Sequence, residues 1–349
     1  MTIEVRRVGT PADDPAGFAA VVDLMRADGK VRDPGDPPMP GRQLEADLFA
    51  PHPRKQRFVW LAEAAGEPAA LVWAETESDV DDDLQLVSLE VIVDPTHRRR
   101  GLATALVDEA LPTLSAAGQN SVCGYPCHDI DYDAAVALCH RYGLTRRSEE
   151  RCSRVTMDDI DESMMDEWTA QAAVSAPGYR LEQWEGACPD HLAAAWQQAE
   201  AGMDDAPLDD FDYHRVDLDA EAQRQEDAAA AAGGYRIHRS LVLGPEGDAA
   251  GMSAIYVHED RPEIGYQDDT AVLADHRGRR LGRWLKAANY RLTRQAHPEL
   301  RVIETYNAQS NPWMLDINVA MGFRPHHVYD LWPKAHGHVD VEHPRVALG

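Results

Sequence analysis

The chain has 349 residues, more than one hydrophobic core usually spans, so two domains of ordinary size are expected. Its formal net charge of -26 argues against a nucleic-acid partner, whose phosphates need a basic face. No apolar run approaches the roughly 20 residues of a membrane span. The start, Met1-Thr2-Ile3-Glu4-Val5-Arg6, reads as a strand rather than a signal peptide, so no membrane partner and a cytoplasmic location are expected.

In chain order, Ile3–Val8 reads as a short strand, and Pro15–Ala27 and Arg42–Phe49 as helices. Phe58–Glu63 and Ala69–Glu75 flank Gly66-Glu67, a hairpin signal. Leu84–Val93 is a longer strand, and Gly101–Ala117 a helix with an apolar stripe at Leu102, Leu106, Ala110 and Leu114. Ser121–Tyr125 is a strand, Asp133–Tyr142 a helix, and Val155 lies in a final strand. The acidic, Ala-rich stretch 159–177 reads as a linker that holds a helix.

Beyond it, strands are expected at Tyr179–Trp184, Ile237–Leu243, Gly251–Val257, Thr270–Leu273, Val302–Tyr306 and Val328–Leu331. Helices are expected near Asp190–Ala201, Ala220–Ala231, Leu281–Gln295 and Trp313–Met321. The series Leu281, Trp284, Leu285, Ala288, Leu292 marks a strongly amphipathic helix. Hairpins followed by a strand–helix–strand unit mean an α/β or α+β fold.

The chain also contains itself twice. His97-Arg98-Arg99-Arg100-Gly101-Leu102-Ala103 returns as His276-Arg277-Gly278-Arg279-Arg280-Leu281-Gly282, 179 residues later (276 − 97). Gly143-Leu144 and Gly322-Phe323 share that offset, as do Val93 with Val272 and Leu106 with Leu285. Two landmarks at one offset indicate duplication of a unit of about 170 to 180 residues. The expected division is 1–158, a linker 159–177, a second domain 178–335 and a tail 336–349.

The informative segment runs from Val91 to Thr104, where a strand ends, a short loop follows and a helix begins. A helix N-terminus offers unpaired N–H groups and the positive end of a dipole, which together suit phosphate. Gly101 and Ala103 let the backbone approach a pyrophosphate, and Arg98, Arg99 and Arg100 add charge. A helix that merely capped itself would favour Asp or Glu here, not three arginines.

The segment resembles motif A of the GNAT (Gcn5-related N-acetyltransferase) superfamily, Arg/Gln-x-x-Gly-x-Gly/Ala, through Arg98, Gly101 and Ala103. The helices ending at Leu144 and Phe323 resemble the family's closing Gly-Phe element. The resemblance implies two tandem GNAT-like domains, each a mostly antiparallel mixed sheet flanked by helices, in the two-domain layout of the mycothiol synthases. It implies acetyl-CoA as co-substrate and a small amine acceptor, with a cationic amine favoured by the acidic surface. The pantetheine arm would pair with Val91, Ile92 and Val93. The pyrophosphate would lie on Arg98, Arg99, Arg100, Gly101, Leu102, Ala103 and Thr104. The corresponding residues of the second half are Val272, Arg277, Gly278, Arg279, Arg280, Leu281 and Gly282, but Arg280 stands where the motif has Gly.

Attack of a neutral amine on a thioester needs a base and an acid. The family's usual Tyr on the last helix is replaced by Cys139 in the first half and Asn318 in the second, and Tyr142 reads as packing. Candidate bases are Glu90, inside the central strand, and Asp269 with Asp268 in the second half, with Glu304 further on. The run Asp79-Val80-Asp81-Asp82-Asp83 reads as a solvated loop or a rim for cationic substrates. The alternative to an enzyme is an acyl-CoA-binding protein with degenerate halves. Five cysteines without a secretory start argue against a disulfide scaffold. Cys123, Cys127, Cys139 and Cys152, with His128 and His140, fit no common zinc spacing, so no metal is expected. The histidines at 326, 327, 336, 338 and 343 read as surface groups.

Overall fold

A computed structural model describes residues 2–52, 55–77, 86–117, 121–203, 219–308 and 312–334. They divide into two units, Met1–Glu150 with His327–Gly349, and Arg151–His326.

Unit 1 begins with β1 (Ile3–Arg7), α1 (Pro15–Arg32), α2 (Gly41–Leu48), β2 (Lys55–Ala64), β3 (Glu67–Glu77) and β4 (Leu86–Val93). Then come α3 (Leu102–Ala116), β5 (Ser121–Gly124) and α4 (Tyr132–Arg141). Strands β1 to β4 are antiparallel neighbours, and β5 joins β4 in parallel. Period-two alternation divides the side chains between two layers. Phe58, Trp60, Val72, Ala74, Val87 and Leu89 pack on Leu102, Leu106, Val107, Ala110 and Leu114 of α3. Val59, Leu61, Leu71 and Ile92 face Val21, Val22 and Leu24 of α1 and Leu44 and Leu48 of α2. Burying each large apolar side chain stabilises by roughly 1.5–3 kcal/mol, so helices on both faces hold the central strand β4 firmly.

Unit 2 contains most of β6 (Ser148–Thr156), then α5 (Glu162–Ser175), β7 (Arg180–Glu185), α6 (Asp190–Glu200), α7 (Ala220–Ala232), β8 (Tyr235–Leu243) and β9 (Ala249–His258). It continues with β10 (Arg261–Val272), α8 (Leu281–Ala296), β11 (Val302–Ala308) and α9 (Pro312–Ala320). Its strand order is β6-β11-β10-β9-β8-β7. The segment read as a linker is largely α5, and its Met165 and Trp168 share a core with Ala287 and Tyr290 of α8 and with Phe323.

The last strand of each half is where sequence order and spatial order part. The strand around Val155, expected to close the first half, lies in unit 2, with Val155 in the core beside Ile303. The strand expected at Val328–Leu331 is the middle of β12 (Arg324–Pro333), most of which belongs to unit 1. There Trp332 pairs with Gly124 of β5, antiparallel, and enters the core under α3. Strand β10 is also far longer than expected. Its first residues include Pro262, Glu263 and Gly265, poor strand formers, but pairing with β9 on one edge and β11 on the other overrides that preference.

Candidate active site

In unit 1 the parallel pairing of β4 with β5 stops at Leu89 opposite Gly124. Strand β4 runs on through Glu90, Val91, Ile92 and Val93, paired with β3 alone. Among the described residues, the other backbone edge of this stretch is left unpaired. The chain then turns through Asp94–His97 to α3. Arg98 is tied down there, its Nε–H donating to the Val93 carbonyl at 3.2 Å and its Nη1 lying 2.5 Å from Asp131 Oδ2. Arg99 and Gly101 adopt left-handed conformations, with φ of 61° and 85°. No side chain caps α3, and a Cβ at Gly101 would meet nothing within 4 Å. The N–H groups of Leu102, Ala103 and Thr104 thus start a helix beneath open space, with Arg99 and Arg100 exposed beside them. Leu102 itself is buried and anchors the turn. An extended arm ending in a pyrophosphate fits these groups.

Unit 2 repeats the arrangement. Pairing of β10 with β11 stops at Gln267 opposite Thr305, and the strand continues to Val272 beside β9 only. Arg277 Nε donates to the Val272 carbonyl at 3.0 Å. The left-handed positions are now Gly278, with φ 77°, and Arg280, with φ 63°, so glycine and arginine have exchanged places in the turn. A non-glycine residue in this region costs roughly 1–2 kcal/mol. Arg280 turns its guanidinium to the side-chain oxygen of Gln171 on α5, and Arg279 Nη1 donates to the Asp275 carbonyl at 2.7 Å. Leu281 is buried. A Cβ at Gly282 would come within 3.3 Å of Ile317 Cδ1, so this glycine lets α9 approach α8.

Glu90 is the first residue past the point where β4 and β5 part, opposite Trp73 in the antiparallel register. Its side chain is exposed to solvent, with Arg32, Asp28 and Glu75 near enough to act on it electrostatically. Withdrawal from bulk water raises its pKa to about 6; Arg32 opposes the rise, and Asp28 and Glu75 add to it. Just past the end of β5, Tyr125 directly follows Gly124, and its hydroxyl is 3.1 Å from Ser88 Oγ. Burial pushes that phenol well above its usual value, so it stays protonated. Tyr125 was missed in the sequence because it merely ended a strand; only the parallel pairing of β4 with β5 places it near Glu90.

Cys139 is buried against Gly124, and burial raises its thiol to about 12, which leaves it a poor nucleophile. Tyr142 is buried with its hydroxyl 3.1 Å from Asp108 Oδ1. In unit 2, Asp269 is half-buried within a bulge of β10, 179 residues after Glu90 (269 − 90). Glu304 is occupied by Arg154 at 2.7 Å and by the Tyr306 hydroxyl at 2.8 Å. Asn318 donates to Asn307 Oδ1 at 2.7 Å, and its own Oδ1 is buried without a partner among the described residues. The run Asp79–Asp83 and the histidines at 336, 338 and 343 lie outside the described residues.

Two open-edged strands, each leading into an uncapped helix, define a duplicated acyltransferase-type fold. Residues 21–144 match the model of the acetyltransferase (GNAT) family. Mycothiol acetyltransferase from Sanguibacter keddieii is 28% identical over 240 residues, which cover 68% of this chain and 70% of that protein. Two solved structures share the fold. A tandem GNAT protein from the clavulanic acid biosynthesis pathway superposes with a TM-score of 0.75 at 20% identity, over 97% of this chain and 100% of that one. A GCN5-related N-acetyltransferase from Sphaerobacter thermophilus gives 0.65 at 16% identity, over 99% and 96%. Residues 21–144 therefore match a GNAT-type acetyltransferase domain, and over nearly its whole length the chain shares the fold of a tandem GNAT protein.

Proposed function

We propose that unit 1 transfers an acetyl group from acetyl-CoA directly to a small amine, with Glu90 as base and Tyr125 as proton donor. The observation that carries this reading is the position of Glu90, one residue beyond the last β4–β5 pair and on the strand that leads to the uncapped α3. Bound there, the co-substrate supplies an activated acyl thioester. The open edge of Val91–Val93 orients its extended arm, and the N–H groups of Leu102, Ala103 and Thr104, with Arg99 and Arg100, receive its pyrophosphate. Arg98 holds the loop in place. Glu90 takes the proton that the amine sheds, directly or through a water, and Tyr125 can return one to the departing thiolate. Arg32 answers Asp28, and Lys55 with Arg57 answers Glu75, so the preference for a cationic acceptor rests on the net charge of -26.

Unit 2 supports a second seat through Val272, Arg277, Gly278, Arg279, Arg280, Leu281 and Gly282, with Asp269 at the position of Glu90. The two seats are separated by Gly101→Glu and Arg280→Glu, each placing a carboxylate where phosphate would lie. Like charge at a phosphate site weakens binding by about a hundredfold or more. Gly101→Glu is expected to abolish turnover of acetyl-CoA against a panel of amines, while Arg280→Glu leaves it measurable. The reverse result moves the working site to unit 2. Acetyl-CoA binding without turnover on any amine favours a binding protein with degenerate halves.

A further inference from the structure

Away from the α3 helix, on the opposite layer of unit 1, three segments distant in sequence bring metal-ligating side chains together. A turn closed by the Ile130 N–H on the Cys127 carbonyl, 3.3 Å, presents Cys127 and Asp129. Strand β12 runs alongside, bridged to the turn at Cys127 and Tyr329, and presents His327 two residues before the bridge. Asp33 follows the last turn of α1. His327 is fixed from both sides, its Nδ1 3.0 Å from Asp129 Oδ2 and its Nε2 3.2 Å from Asp33 Oδ1. Ligand atoms of Cys127, Asp129 and His327 all lie within 4.8 Å of one another.

We propose that Cys127 Sγ, Asp129 and His327 Nδ1 bind a zinc-like divalent ion, with Asp33 as the carboxylate that orients His327 through its Nε2–H. The donor set of one thiolate, one imidazole and one carboxylate matches borderline-soft metals and not calcium or magnesium, which take oxygen alone. A carboxylate on the far nitrogen of a ligating histidine is the usual device for fixing its tautomer and ring plane. Cys127 and His327 are buried, so two ligands are preformed, while the Asp129 side chain is 55% exposed and offers both an entry path and freedom to move. Tetrahedral zinc holds such ligand atoms about 3.4–3.8 Å apart, so Asp129 Oδ2, 3.0 Å from His327 Nδ1, draws back slightly to admit the ion. Three protein ligands leave one position for water.

Asp129 and Asp33 place two carboxylates against His327, and Arg32, paired with Asp28 at 3.2 Å, also acts on Cys127 electrostatically. The neighbouring group of His128, Glu149 and Asp330 is different, because Arg146 at 2.8 Å and the Tyr132 hydroxyl already occupy Asp330.

The test uses the full chain, stripped with chelator and titrated with zinc against a chromophoric competitor, then repeated with cobalt. One equivalent of zinc should bind, and cobalt should show a thiolate charge-transfer band that Cys127→Ser removes. Asp129→Asn, at an exposed position that folding tolerates, should weaken zinc strongly. Asp33→Asn should weaken it about 10- to 100-fold through loss of orientation. Joint replacement of His336, His338 and His343 by alanine should change nothing. No stoichiometric zinc in the wild type overturns the proposal. So does zinc retained equally by Asp129→Asn and His327→Gln, or zinc lost only when the tail histidines are removed. If Cys127→Ser does not fold, the cobalt spectrum of the wild type and the Asp129→Asn affinity decide.

Discussion

The Nε–H of Arg98 donates to the carbonyl of Val93 at 3.2 Å, so the end of β4 and the start of the phosphate-type turn move as one piece. Arg277 and Val272 repeat the bond at 3.0 Å in unit 2. The contact uses the stem of the guanidinium, which leaves its outer nitrogens for Asp131 in unit 1. A lysine carries the charge but has no donor at that point of the side chain. Arg98→Lys is therefore expected to weaken acetyl-CoA almost as much as Arg98→Ala, by about tenfold, a loss of about 1.4 kcal/mol. Isothermal titration of both variants measures this. A lysine variant that binds like the wild type would mean that charge, not the tie to Val93, is what matters.

Glu90, with its pKa raised to about 6, must lose its proton to act as a base. The rate is then expected to rise with pH through about 6 and to level off above it. Glu90→Gln should remove this limb of the kcat/KM profile and lower kcat by about 10²–10⁴. With Glu90 as the proposed base for the acceptor amine, the KM for the acyl donor should change little. An unaltered acidic limb in Glu90→Gln would assign the titration to another group.

Lys286 is 1% exposed on α8, with its Nζ 5.8 Å from the centre of the Phe323 ring and no ion pair among the described residues. Burial lowers its pKa to about 7. Such a group binds fewer protons folded than unfolded between about 7 and 10.5, so its penalty is full below pH 7 and fades as pH rises. Lys286→Met, similar in volume and uncharged, should stabilise unit 2 by about 1–3 kcal/mol at pH 6 to 7, with the gain shrinking towards pH 10. Urea titrations of both proteins at pH 6.5 and 9.5 check the size and the trend.

His238 is fully buried in β8, 2.9 Å from His297 through their Nε2 atoms, and its Nδ1 has no partner among the described residues. Desolvation, with the neighbouring His297 and Arg236, lowers its pKa to about 4. The unfolded chain therefore takes up this proton near pH 6.5 while the folded chain resists until about 4. Stability should be full above pH 6.5 and fall by about 3 kcal/mol as pH drops to 4. His238→Leu should flatten that slope in denaturant titrations. A slope unchanged by the substitution would place the acid sensitivity elsewhere.

Much of this was written locally in the chain. The 179-residue repeat, the amphipathic stripes of α3 and α8 and the strand–Arg–Gly–helix segment rest on residues close together, where periodicity and turn chemistry act directly. That is why α3, β4 and the uncapped helix start lie where the sequence puts them. Glycine at 101 and arginine at 280 were visible as a difference, but only backbone geometry shows that both sit at left-handed φ, with Gly278 and Arg99 in the complementary places. Membership of β6 and β12 was not readable, because Val155 and Trp332 suit the inner face of any sheet, and which core takes them depends on packing between distant segments. For the same reason the meeting of Tyr125 with Ser88, and of Cys127 and Asp129 with His327, was not readable, their partners lying 37 and about 200 residues away; His327, read as a surface histidine, is buried. Local pattern determined the repeat and its phosphate-type turns; only tertiary pairing decided which strand completes each sheet and which polar side chains meet.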